Sequence, residues 1–155
     1  MLTVDLQGGF GEKGRTSVAV SDGDTRIMLD AGIKVGATGD EYYPVLARPV
    51  GDIDALFISH AHEDHIGALC RLIREGYTGP IYMTAETRTE MPATLAQYAD
   101  AAELWEFMPK DAQIRLFEPG ERLSAGALAI ETGASGHVVG GVWFSVEGQG
   151  RRVVY

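Results

Sequence analysis

Residues 59–69 read Ser59-His60-Ala61-His62-Glu63-Asp64-His65-Ile66-Gly67-Ala68-Leu69, and they gather three of the chain's four histidines into positions 60–65. They follow Ala55–Ile58, a short continuous apolar run of the kind that forms a strand buried on both faces. In open α/β sheets, functional loops commonly follow the carboxyl ends of strands. Imidazole nitrogen is a favoured ligand for Zn²⁺, with carboxylate oxygen as a harder companion. Side chains at i and i+2 of an extended segment project the same way, so His60 and His62 can grip one ion together. Asp64 and His65 come where the chain turns into a helix, and they point elsewhere. These ligands in two directions suggest two adjacent metal ions. Taken singly, such residues would cap a helix, where free N–H groups and the dipole favour an Asp. A histidine cation gains nothing there, and the whole His-x-His-x-Asp-His pattern favours a metal site.

The flanking sequence supplies a frame. Downstream, Ile66, Leu69, Cys70 and Ile73 recur at i, i+3, i+4 and i+7, which predicts a helix ending at Gly76. Ile81–Thr84 reads as a strand and Ala85–Trp105 as helical, with Pro92 breaking it or starting its second part. Upstream, Leu2–Leu6 reads as a strand that runs into the glycine-rich turn Gly8–Gly14. Thr16–Val20 and Thr25–Leu29 form a hairpin around Asp22-Gly23, since glycine admits positive φ. Ala31–Asp52, with four Gly and two Pro, carries no period and reads as a loop. Ile114–Phe117, Ala127–Glu131, Val142–Val146 and Arg152–Tyr155 complete a β-rich α/β pattern. No repeat, low-complexity tract or linker divides it.

The chain has 155 residues, a hydrophobic share of 45% and 23% charged residues, which excludes wholesale disorder. One cysteine excludes an internal disulfide framework and fits a reducing compartment. No apolar run approaches a membrane span, and Met1–Asp5 lacks a basic-then-apolar leader, so a cytoplasmic location and no membrane partner are expected. Thirteen Lys+Arg against 22 Asp+Glu leave a net charge of -9, which argues against a generic nucleic-acid coat. Bound zinc would add positive charge where a phosphate binds, so acidity is no veto.

The stretch SHAHEDHIGAL resembles the signature of the metallo-β-lactamase superfamily. Met28-Leu29-Asp30-Ala31-Gly32 is similar to its earlier Asp-x-Gly motif, and Ser135-Gly136-His137-Val138-Val139-Gly140-Gly141-Val142 to its third metal motif. The latter has the G-H-V-x-G form of the β-CASP nucleases and their RNase J relatives, whose glycine-rich opening Gly8–Arg15 also resembles. The resemblance implies a four-layer αββα sandwich. It assigns His60, His62 and His137 to a first zinc, and Asp64 and His65 to a second. It makes Asp64 and Asp30 the candidate catalytic carboxylates, with Asp30 orienting a ligand histidine from behind. All four histidines fall on motif positions.

In the resembled family a strand followed by Ser/Thr-Gly-Asp supplies a bridging aspartate, and a later histidine and a β-CASP insert come after it. Arg151–Tyr155 looks like that strand, so residues 1–155 are expected to be the N-terminal half of the domain, apparently truncated. Such a half would bind about one Zn²⁺ where the complete site holds two, would have little activity, and would self-associate through exposed apolar strand surface. The expected full-length activity is a ribonuclease in which zinc-bound hydroxide attacks an RNA backbone phosphate. Alternatives are a thioester or lactone hydrolase of the same superfamily, and a non-catalytic metal-binding half-domain.

Among other residues, Cys70 reads as a buried thiol and Glu63 as a variable position beside the ligands rather than a general base. Trp105, Phe107, Trp143 and Phe144 are expected to pack in the core or on strands. Arg71, Arg74, Arg88, Arg151 and Arg152 are candidates for phosphate contact, with a solvated surface as their default.

Overall fold

The computed structural model describes Met1–Tyr155. Six strands form the first sheet: β1 (Thr3–Gly8), β2 (Ser17–Ser21), β3 (Arg26–Leu29), β4 (Ala55–Phe57), β5 (Ile81–Met83) and β6 (Ile114–Leu116), in that spatial order. β1, β2 and β3 pair antiparallel, whereas β3, β4, β5 and β6 run parallel. The second sheet is an antiparallel meander of β7 (Arg122–Ala125), β8 (Leu128–Ala134), β9 (Val142–Gly148) and β10 (Arg151–Val154). Four α-helices, α1 (Glu63–Ile66), α2 (Leu69–Arg74), α3 (Ala85–Leu95) and α4 (Ala101–Phe107), and two single-turn 3-10 helices, Gly39–Glu41 and Val50–Asp52, complete the chain. None is long and apolar enough to cross a membrane.

Strand alternation sorts the apolar residues into two cores. Met28, Leu56 and Ile58 face the helices, where they meet Ile66, Leu69, Met91 and Leu95. Ile27, Leu29, Ala55 and Phe57 face the second sheet, where they meet Ile130, Val142, Phe144 and Val146. The result is a helix–sheet–sheet stack in a mixed α/β fold, and it buries β4 on both faces as its continuous apolar run predicts.

Three local expectations are corrected, and one strand, β7, has no counterpart in the sequence pattern. The helix expected from Ile66 to Gly76 breaks at Gly67–Ala68, because the Ala68 N–H bonds to the Ala31 carbonyl while the Asp64 carbonyl accepts from Thr16. Pro92 neither breaks nor starts a helix but sits inside α3, and the interruption falls before Asp100, whose side chain caps α4. β7 has a single large apolar residue, Leu123, and is a sheet edge, so it leaves little pattern to read. Trp105 is 91% exposed: Leu104 and Phe107 form the inward face of α4, and Trp105 lies off it. Phe144 is buried, Phe107 is half-buried, and Trp143 lies across Gly133 of the adjacent strand.

Candidate metal centre

The parallel strands β3 and β4 end side by side, and the loops leaving them carry Asp30 and residues 59–62. The loop between β8 and β9 folds over the same edge and delivers His137. His60 Nε2 lies 3.2 Å from His62 Nδ1. The His137 ring stands edge-on to both, with centroids at 4.9 and 5.2 Å. One ligand atom from each of these three histidines lies within 4.8 Å of the others. His60 is buried while His62 and His137 are exposed, so the cluster opens to solvent on one side.

Hydrogen bonds behind the cluster set the ring directions. The Ser59 hydroxyl donates to Asp30 Oδ2 at 2.6 Å, which leaves its oxygen to accept from His60 Nδ1 at 2.9 Å. This network assigns the proton to Nδ1 and leaves His60 Nε2 bare toward His62 and His137. His65 Nδ1 donates to Asp30 Oδ2 at 2.6 Å, and its Nε2 then faces Asp64 Oδ2 at 3.8 Å. His60, His62 and His137 thus converge, with His65 against His60 and Asp64 beyond it. The Asp64 carboxylate makes no hydrogen bond of its own, so its oxygens are available.

Burial, reinforced by the neighbouring His65, holds His60 down to about 4, so its ring is neutral at pH 7. Burial also works to lower His65, but the hydrogen bond and charge of Asp30, with Asp64 and Glu63, outweigh it and raise that group. Asp30 itself is fully buried and takes a left-handed φ of 58°. That conformation costs an aspartate on the order of 1 kcal/mol, a strain held here by four hydrogen bonds to its carboxylate.

The His137 loop is tied down from the first sheet. Thr84 accepts from the Thr87 N–H at the start of α3 and donates to the Gly140 carbonyl at 2.8 Å. Gly140 has a φ of +73°, and a side chain there would press on Glu86. Sequence reading found no role for Ser59, Thr84 or Tyr155. Ser59 adjoins the histidines and had a local signal, whereas the other two meet the site only through tertiary contacts.

Glu63 makes no side-chain hydrogen bond and, with Asp64, Lys13, Gly14, Ile33 and Lys34, lines a cavity of about 360 Å³ beside the cluster. Most arginines weighed for phosphate contact are committed elsewhere: Arg71 to Glu75, Arg74 to Glu103, Arg88 to Asp111 and Arg152 to Glu147. Arg151 has no ion-pair partner, and it lies on β10. Lys13 is likewise unpaired, and it lines that cavity.

The sequence profile of the Metallo-beta-lactamase superfamily matches residues 11–144. The chain belongs to the metallo-beta-lactamase superfamily. Within this superfamily it is similar to "Ribonuclease TTHA0252" of Thermus thermophilus, 34% identical over 138 residues, which is 86% of this chain and 32% of that protein. It is also similar to "Transcription termination factor FttA" of Methanocaldococcus jannaschii, 38% identical over 105 residues, 66% of this chain and 16% of the factor. The chain therefore spans about a third or less of the length of these relatives. The solved metallo-beta-lactamase fold protein YhfI of Bacillus subtilis superposes with a TM-score of 0.65 at 21% identity, over 99% of this chain and 60% of that one. That likeness is one of fold.

Proposed function

We propose that residues 1–155 form the N-terminal part of the metallo-β-lactamase domain of a zinc-dependent, β-CASP-type phosphodiesterase that hydrolyses RNA in the cytoplasm. The observation that carries this reading is the meeting of His60, His62 and His137 beside Asp64 and His65. Three imidazoles with a neighbouring carboxylate are a nitrogen and oxygen donor set suited to Zn²⁺. His60 fits that demand because it is neutral and its Nδ1 is occupied by Ser59. His60, His62 and His137 would hold one ion, and Asp64 and His65 would contribute to a second.

When bound, zinc supplies a Lewis acid that brings the pKa of water toward about 7 and offsets charge developing on a phosphate. The chain's own residues prepare that chemistry. Ser59 and Asp30 hold His60 and His65 by their Nδ1 atoms and leave each Nε2 free, so little reorganisation would be needed for either to act as a ligand. Asp64 Oδ2, free of hydrogen bonds, would be open to the second ion. Lys34 of the adjoining cavity is paired with Glu12, which leaves Lys13 as the lysine there open to an anionic substrate. RNA is favoured among anions by the ribonuclease relative.

The test uses the purified protein, a single-stranded RNA oligonucleotide, and thioester and lactone substrates. The zinc-loaded protein is expected to bind RNA in a salt-dependent manner, and binding should vanish with a chelator or in His62→Ala. Hydrolysis of the thioester or lactone without RNA binding would replace this reading with a small-molecule hydrolase.

A further inference from the structure

Tyr155 reaches the candidate metal centre from the opposite sheet. Its N–H and its carbonyl both bond to Phe144 at 2.8 Å, so its backbone extends the β10–β9 pairing by one residue. The ring joins the core between the sheets. The hydroxyl emerges from that core at the first sheet and donates to Asp30 Oδ2 at 2.8 Å.

Asp30 is the hub of this network. Its Oδ1 accepts the Ser59 N–H at 2.7 Å, and its Oδ2 accepts from Ser59 Oγ, His65 Nδ1 and Tyr155. Both Ser59 bonds come from one residue at the end of β4, on the same sheet as Asp30. Tyr155 is the donor that approaches from the second sheet. An aspartate rotates readily about its second side-chain torsion, so a donor from a second direction matters to where Oδ2 points. A phenol hydroxyl donating to a carboxylate makes a short, charge-assisted bond, stronger than a neutral one. Burial, together with the charge of Asp30, raises the Tyr155 phenol well above its ordinary range, so it remains a donor at neutral pH.

We propose that Tyr155 is a positioning residue of this centre: its hydroxyl orients Asp30, and Asp30 thereby holds His65 with its proton on Nδ1 and its Nε2 toward Asp64. The consequence for zinc rests on the metal reading given above. The effect on the His65 ring does not. Sheet pairing then matters twice, because the second sheet supplies both the His137 loop and the tyrosine that orders the Asp64/His65 side.

Tyr155→Phe keeps the ring in the core and removes only the hydroxyl. Long-range proton–nitrogen NMR spectra of the metal-free protein at about pH 8 report the tautomer of each imidazole. The parent should show His65 protonated at Nδ1, and Tyr155→Phe should show a mixture of tautomers. An unchanged His65 spectrum in this variant overturns the proposal. His62→Ala is the control: it should lose zinc and keep the His65 tautomer. If His62→Ala binds zinc as tightly as the parent, the metal reading fails while the tautomer result stands by itself. If Tyr155→Phe does not fold, the parent decides: a slowly exchanging Tyr155 hydroxyl proton with a cross-peak to the His65 ring is expected, and its absence overturns the proposal.

Discussion

Gly32 packs backbone to backbone against Asp64: a Cβ on Gly32 would overlap the Asp64 carbonyl group. The same carbonyl accepts the Thr16 N–H at 2.9 Å. On either side of it, Ile33 donates to Glu63 at 3.0 Å and Ala31 donates to His65 at 2.7 Å. The four-residue helix α1, too short to be stable by itself, is thus hung from the loop that follows β3. Asp30 and Gly32 act together, one aligning the His65 ring and the other admitting the backbone that carries it.

Gly32→Ala is therefore expected to lower stability by about 1–3 kcal/mol, the usual cost of forcing a methyl group into a packed site. Urea unfolding checks this. Zinc affinity should fall as well, because His62 is the N-cap of α1 and moves with it. A variant with an unchanged midpoint would show that the loop yields freely and that the close approach is incidental.

His62→Ala separates the site from the fold. His62 is exposed and its ring supports no core contact, so stability should change by no more than about 0.5 kcal/mol. Bound zinc, measured by metal analysis after gel filtration, should drop to background. Retention of zinc in the folded variant would remove His62 from the ligand set.

Glu12 links the glycine-rich loop to its surroundings through Arg15 at 2.6 Å and Lys34 at 2.7 Å. Its hydrogen bonds to Arg15 and then Lys34 hold the carboxyl down at about 2, against an ordinary 4.5. The folded value lies below the unfolded one, so this group stabilises the fold above about pH 4.5 and loses that contribution as pH falls toward 2. Glu12→Gln should flatten the acid limb of the stability curve across that window. Acid titrations of the two proteins that run parallel through it would refute the assignment.

Cys70 is buried on α2, and burial pushes its thiol up to about 11. Since the thiolate is the reactive form, a disulfide reagent at about pH 8 should label the native protein slowly, at a rate set by opening of the fold. Guanidinium should accelerate labelling steeply. Rapid stoichiometric labelling of the native chain would contradict this placement.

Much of this structure could be read from short-range pattern. The strand Ala55–Phe57, the helical turns behind it and the hairpin around Asp22-Gly23 are legible because apolar period and turn chemistry act over a few residues. The same logic fails where a distant group intervenes. The helix after His65 breaks because Thr16 and Ala31 take up its backbone groups, and no local period carries that information. Pro92 is tolerated inside α3 against its local preference. Trp105 is exposed because Leu104 and Phe107 take the inward face of a two-turn helix, a choice set by what packs beneath.

The sequence by itself determined the superfamily and the residues that could serve as ligands, because His60, His62, Asp64 and His65 lie within six positions and their directions follow from local backbone geometry. Only the tertiary structure decided that His137 closes on His60 and His62, that Tyr155 bonds Asp30 from 125 positions away, and that Arg71, Arg74, Arg88 and Arg152 are held in ion pairs. Those contacts depend on the register of two sheets and the burial between them, which sum over the whole chain. Local pattern names the groups, and long-range packing fixes which of them meet.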